Sequence, residues 1–419
     1  MQAAAESRGG AFTVEDPLRR RDGRSRAVDR REVSIVSMRI AVVSEIQLGS
    51  QRSQAINVIK TAGGMLRAGH SVVLVCRPPE CDPRPPSEIL AEYGEERLDV
   101  MLQPDEGAAF DPARFASWAV SVAASDGVDC VYARHVHAAI QCAAAAIPTV
   151  FETHAHVGDR REEIVKAMRS TQSTRRGIRS IITIGAPLKS WYETLGAVPR
   201  CVHVVPEGVD VGLFSPPPTA GKPPTALCRV SGPRITYAGH LFDFKGVPTM
   251  LEAAALAPEL SFVLVGGSPE DLQRVRARAA GLTNVHLPGW VPHVEVAPYL
   301  WHSDALLLPP SATDPAASWL SPVKLGEYLA SGTPVVASGV RGLRRLMTDE
   351  HVRWFTPDDA SSMVEAVRAT LRESPEAAAR RAAACAALAK TYSSATRATR
   401  ILATLDGACE QRGSMDAAA

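Results

Sequence analysis

Lys324 and Glu327 lie three residues apart in the stretch Ser321-Pro322-Val323-Lys324-Leu325-Gly326-Glu327-Tyr328-Leu329-Ala330-Ser331-Gly332-Thr333-Pro334-Val335-Val336-Ala337-Ser338. A lysine next to a helix start favours an anion such as a phosphate, because first-turn N–H groups lack partners and carry partial positive charge. A carboxylate one turn on can accept hydrogen bonds from vicinal hydroxyls of the kind ribose offers. Taken alone, the same pair also describes a surface helix with an ordinary i,i+3 ion pair. Four histidines offer other chemistry: His135 with His137, and His154 with His156, form two HxH pairs. No carboxylate or thiolate has matching spacing with them, so no metal site is expected.

The elements that position these residues follow from the local pattern. Ser321 suits an N-cap and Pro322 a first helical turn; Leu325, Tyr328 and Leu329 share one helical face. Gly332 stops the helix before Val335 and Val336 enter a sheet. Upstream, from Met38, the chain alternates continuous apolar strands (Ile40–Val43, Val72–Val75, Cys130–Tyr132, Thr149–Phe151, Ser180–Ile184, Val202–Val205) with helices. The helices include an apolar-faced stretch from Ala55 to Leu66, one near Arg114–Ala124, Ala138–Ala145 and a basic stretch Arg160–Arg179. A proline-rich connector, Ser215–Pro218 and Gly221–Pro224, precedes a second alternation. It holds strands Arg234–Tyr237, Ser261–Val265, Val285–Leu287, Ala305–Leu308 and Pro334–Ala337, and helices Val247–Leu256 and Pro269–Ala280. Asp359 and Ser374 open two late helices, the second alanine-rich through Leu388 and long enough to cross back. Continuous apolar strands joined by helices predict parallel sheets covered on both faces, with ligands at the carboxyl ends of the strands.

At 419 residues the chain is too long for one ordinary core, and 46% hydrophobic with 22% charged residues describe a soluble globular protein. A net charge of +1 excludes a global field for nucleic acid or an anionic membrane. Eight cysteines without CxxC spacing read as free thiols of a reducing cytoplasm. Neither a signal peptide nor an apolar run of spanning length stands out. Residues 1–37, charged and poor in large apolar side chains, read as a disordered basic tail rather than a nucleic-acid arm.

Several segments in order resemble the retaining glycosyltransferase family 4, of the group 1 type. Val204-Val205-Pro206-Glu207-Gly208-Val209-Asp210 with Phe214 is similar to the family's IPNGVD..F segment. Gly239-His240-Leu241-Phe242-Asp243-Phe244-Lys245-Gly246-Val247 is similar to its GR/HL...KGV loop, and Phe262–Gly267 and Val285–Val291 to two strand-and-turn segments. The stretch from Ser321 resembles SPlKl.EYmA.G.PVvAs, Phe151-Glu152-Thr153-His154 resembles fE.H, and Gly49–Gly69 the N-terminal GS...n...A..L...GH. The resemblance covers residues 38–405 and implies an α/β, GT-B fold: two Rossmann-like doubly wound domains facing across a cleft. The boundaries expected are 38–207 for an acceptor domain, joined by a helix at about 390–410, and 208–389 for a donor domain.

The resemblance implies transfer of a sugar from a UDP- or GDP-linked donor, as a co-substrate with no cofactor and no metal, to a glycan, lipid or specialised-metabolite acceptor. By the same likeness Lys245 and His240 meet the diphosphate, Lys324 and the N–H groups near Ser321, Pro322 and Val323 hold the distal phosphate, and Glu327 binds the ribose. Val291, next to Trp290, borders the base; Gly49 and Ser50 lie close to donor or acceptor; His154 approaches the transferred sugar. A solvated loop lysine and a satisfied structural histidine are the plainer readings of Lys245 and His154. Arg52, Arg134 and Glu45 are further cleft-side candidates. Position 319, where many members carry a second glutamate on the donor sugar, is Trp319 here. Two other classes remain: a non-transferring enzyme of the same fold, such as an epimerase or hydrolase, and a catalytically dead binding subunit. The basic stretch with Arg160, Arg161, Lys166, Arg169, Arg175, Arg176 and Arg179 offers peripheral membrane contact, against the plainer reading of a solvated face.

Overall fold

The computed structural model describes residues 37–406 apart from 105–108, 156–160, 172–176 and 220. The first sheet comprises β1 (Arg39–Gln47), β2 (Ser71–Arg77), β3 (Asp99–Leu102), β4 (Cys130–Ala133), β5 (Thr149–Thr153), β6 (Ile178–Thr183) and β7 (Val202–Val204). The second comprises β8 (Arg234–Ala238), β9 (Ser261–Val265), β10 (Val285–Gly289), β11 (Ala305–Leu308), β12 (Val335–Ser338) and β13 (Val352–Phe355). Their orders are β3-β2-β1-β4-β5-β6-β7 and β10-β9-β8-β11-β12-β13, every pairing parallel. Central strands such as Ile40–Val43 and Phe262–Val265 are buried throughout, which is why they read as unbroken apolar runs. These are the two Rossmann-like sheets that the sequence patterning leads one to expect. Winding reverses between β1 and β4 and between β8 and β11, so loops diverge there and open a crevice at the strand carboxyl ends.

Among the described residues the chain crosses between the sheets twice. The first crossing follows β7 through Pro206–Asp210. The second lies between helix Pro375–Thr391, which packs on helix Val323–Ser331, and helix Ser394–Asp406, which packs on helix Ser53–Arg67 and on β6. Two helices therefore make the return, separated at Tyr392–Ser393. The break lets the crossings bond to each other: Val209 N–H donates to the Tyr392 carbonyl (2.9 Å), and Ser394 N–H to the Val209 carbonyl (2.8 Å). Ala398, Ile401 and Leu402 of the last helix are buried beneath the first sheet. The two large side chains contribute about 1.5–3 kcal/mol each by leaving water.

Other expectations change. The basic helix spans only Arg161–Thr171, and Arg179 lies in β6, its guanidinium buried and donating to the Leu405 carbonyl at 3.2 Å. Arg160, Arg175 and Arg176 lie outside the described residues, as do His156 and the tail up to residue 36. Strands β3 and β13 and helices Ala186–Thr194 and His293–Trp301 had no clear periodic signature; the last carries Pro298 inside it.

Candidate active site

A cavity of about 340 Å³ lies between the carboxyl edges of the two sheets. Gln51, Ser53, Tyr93, His154 and Glu207 line it on one side; Gly239, His240, Lys245, Trp290, Val291, His293 and Ser321–Lys324 with Glu327 line the other.

On the second side, β8 ends at Gly239 (φ +142°), whose missing Cβ leaves room for Lys324. A Cβ there would collide with the ammonium, which sits 3.8 Å over the centre of the Tyr237 ring. Lys324 makes no ion pair among the described residues, so the sequence alternative of an i,i+3 pair with Glu327 does not hold. Burial first, then Lys245, hold its pKa well below the usual lysine value of 10.5, with Glu327 opposing. Glu327 is buried and bonds His293 Nε2 at 2.8 Å; His293 packs edge-on against Phe214, ring centres 5.3 Å apart. Lys245 closes the turn Asp243–Lys245 before left-handed Gly246 (φ +85°), where a Cβ would strike the Pro309 carbonyl. Its ammonium pairs with Asp314 at 3.3 Å. His240 stacks on Phe242 with ring centres 5.0 Å apart, and burial, then Lys324, lower its pKa. Its ring therefore offers a neutral N–H rather than a charge near neutral pH.

Ser321 does not cap the following helix. The cap position is Pro322, without a side-chain bond, and Ser321 Oγ accepts the Glu207 N–H at 3.0 Å instead. The helix terminus at Val323 and Lys324 thus faces the cleft uncapped by any side chain. Gly332 ends the helix in the left-handed conformation (φ +73°), as the sequence indicates.

On the first side, β5 delivers Glu152 and His154 together. His154 Nε2 lies 2.7 Å from Glu152 Oε1 and its Nδ1 lies 3.1 Å from Glu207 Oε1. Glu152 is fully buried and bonds the Tyr132 hydroxyl, Arg134 (3.1 Å) and Arg397 (2.6 Å). Burial alone would raise its pKa; Arg397, the His154 bond and Arg134 outweigh it and hold the carboxylate well below the usual range. Glu152, His154 and Glu207 form the one group of possible metal ligands among the described residues, their ligand atoms within 4.8 Å of one another. Both Glu152 oxygens are already engaged by guanidinium, phenol and imidazole, an environment for a buried anion and not for a cation. Sequence spacing missed Glu207 because it arrives from 53 positions downstream of His154. The signal available was Glu207 itself, a carboxylate where the resembled segment has an amide.

His135 caps helix Val136–Ala144 through Nδ1 (3.2 Å from Ala138 N) and lies 3.4 Å from Glu45. His137 stacks on it at 5.4 Å. With Gln54 and Arg134 they line a second cavity of about 480 Å³ whose wall is shared with the cleft at His154. Gly49 and Ser50 are not among the residues that line the cleft, whereas Gln51 and Ser53 are; the Ser50 carbonyl accepts the Tyr93 hydroxyl at 3.1 Å. Trp319 also does not line the cleft: its backbone and Cβ lie against Gly185 of the first sheet's loops.

A family model described as glycosyl transferases group 1 matches residues 232–373, and one described as Glycosyltransferase Family 4 matches residues 55–213. A D-inositol 3-phosphate glycosyltransferase of Thermomonospora curvata is 27% identical over 303 residues, 67% of each chain. One of Xylanimonas cellulosilytica is 28% identical over 239 residues, 53% of each chain. The chain thus spans between about half and two thirds of the length of these relatives. Among solved structures, Anabaena HepE in complex with UDP and glucose gives a TM-score of 0.65 at 16% identity, covering 88% of this chain and 99% of that one. A glycosyltransferase of Rickettsia africae gives 0.67 at 13% identity, covering 90% and 100%. These structures share the fold, two facing Rossmann-like sheets in the GT-B arrangement. With one family model on each half of the molecule, the chain belongs to the group 1, family 4 glycosyltransferases.

Proposed function

We propose that this chain is a metal-independent, retaining glycosyltransferase that moves a sugar from a nucleoside-diphosphate sugar, as a co-substrate, to a hydroxylated acceptor. The observation that carries the reading is the convergence of Lys245, Lys324 and Glu327 on one wall of a cleft, with His154 on the other. Lys324 is a half-buried cation near a second cation, without a carboxylate partner among the described residues; a diphosphate relieves both penalties at once. Glu327 would exchange His293 for ribose hydroxyls. His240, Val291 and the uncapped helix start of Ser321, Pro322 and Val323 complete the nucleotide half.

In the reaction the bond from the anomeric carbon to the diphosphate oxygen breaks as the acceptor oxygen bonds to the same face. The acceptor proton passes to the leaving diphosphate, and Lys245 and Lys324 stabilise the charge that collects there. Metal independence is supported by those two cations and by the prior engagement of Glu152 with Arg134 and Arg397. The second cavity, with Glu45, Gln54, His135 and His137, suits the hydroxyls of a polyol or sugar acceptor. Relatives named for D-inositol 3-phosphate make inositol phosphates the first acceptors to try, ahead of glycans, lipids and specialised metabolites. HepE, solved with UDP and glucose, makes UDP-glucose the first donor.

Among the described residues no helix is long and apolar enough to cross a membrane, and the described cysteines are unpaired, which suits the cytoplasmic site we propose. Peripheral membrane contact draws less support now that Arg179 lies inside β6. Replacing Lys245 by alanine should lower turnover by roughly 10²–10³-fold, the usual cost of losing one charge-stabilising group. Near-normal turnover would sink the assignment. Donor consumption with and without acceptor separates the transferase from a hydrolase, an epimerase or an inactive subunit.

A further inference from the structure

Glu207 stands where the first crossing meets both halves of the cleft. It is 8% exposed, its N–H is tied to Ser321 of the second domain, and its Oε1 bonds His154 of the first. Its Oε2 is buried and has no hydrogen-bond partner among the described residues, although the residue lines the cleft. A buried carboxylate oxygen left without a donor is unfavourable, so the arrangement is complete only when a ligand supplies one.

The chemistry of that ligand follows from the surroundings. Lys245 and Lys324 gather phosphate on the opposite wall, whereas a carboxylate would repel it. A hydroxyl both fits and satisfies Oε2. We propose that Glu207 accepts a hydrogen bond from a hydroxyl of the transferred sugar and so decides which sugars are used, His154 fixing the carboxylate through its other oxygen. This rests on the transferase reading given above. Trp319, whose backbone and Cβ lie against Gly185, is not among the residues lining the cleft, whereas Glu207 is; on this proposal the carboxylate contact on the sugar side falls to Glu207.

Calorimetric titration with UDP, GDP, UDP-glucose and GDP-mannose, followed by mono-deoxy analogues of the tighter-bound donor, tests the assignment. In the wild-type protein one deoxy donor should bind at least about ten-fold more weakly than its parent, the worth of a charge-assisted hydrogen bond. Glu207→Gln places an N–H₂ where the acceptor oxygen was. It should bind the bare nucleotide within about two-fold of wild type, lose the affinity gained from the sugar, and no longer distinguish parent from deoxy donor. Glu207→Asp, which keeps the charge but shortens its reach, should fall between the two. Equal discrimination by wild type and Glu207→Gln overturns the proposal while leaving the transferase reading intact. A wild-type protein that separates none of the deoxy donors overturns it without recourse to variants. Failure of the wild type to bind any of the four nucleotides overturns the transferase reading, and this inference with it.

Discussion

Lys324 holds its ammonium over the Tyr237 ring with Lys245, His240 and Glu327 as its charged or titratable neighbours, and burial is the largest influence on it. The protonated form binds an anion and the neutral form does not. Its pKa lies well below 10.5, so affinity for UDP should fall with rising pH before an ordinary lysine would titrate. Binding measured from pH 7 upward should show this loss, and Lys324→Arg, whose guanidinium keeps its charge, should flatten it. A flat wild-type profile as far as pH 10.5 would refute the expectation. In the empty protein the sign is opposite. Between the depressed pKa and 10.5 the unfolded chain binds more protons, so this group's contribution to stability rises with pH across that window. Lys245, Lys324, Glu327 and His154 were visible from residue type and motif order. Which partner each one keeps was not, because His293, Asp314 and Glu207 reach them only through tertiary folding.

Helix Ser394–Asp406 is the element on which the first domain's half of the site leans. Its Arg397 is buried and donates to Glu152, to Thr61 Oγ1 (2.9 Å) and to the Pro206 carbonyl (2.8 Å). Arg397→Met leaves Glu152 with less compensation in a buried site and should cost about 3–5 kcal/mol, read as a lower midpoint of urea unfolding. The double variant Arg397→Met with Glu152→Gln should recover part of that loss, since the uncompensated charge goes with it. Elements with strong periodicity or caps were legible: Asp359 and Ser374 do cap their helices, through Ser362 N (2.9 Å) and Ala377 N (3.3 Å). Helix His293–Trp301 was hidden by Pro298, and Ser321 passed for a cap because its true partner lies 114 residues away. Arg179 read as helical because a basic residue is not expected inside a sheet, yet its guanidinium finds a carbonyl there.

At the scale of the molecule the two sheets are joined by buried charge as well as by chain. Lys60 on the first domain reaches Glu95 (3.2 Å) and Asp210 (3.1 Å), and Glu95 is shared with Arg67 (2.8 Å). Burial would raise the Asp210 pKa, but Lys60 and the Leu213 N–H prevail and lower it, so its contribution is present above the ordinary carboxylate value and lost in acid. Lys60→Met should lower stability by about 3–5 kcal/mol, because two carboxylates lose a buried partner. An unchanged unfolding midpoint would show the network to be idle. The paired crossings at Val209 and Tyr392–Ser394 carry a separate consequence, for recombination between relatives. The donor half is an insertion within the first domain, not a sequel to it. A chimaera that exchanges donor specificity must therefore be cut at both crossings, leaving Ser394–Asp406 with its original host. A single splice in the proline-rich connector would hand Arg397 to a foreign Glu152.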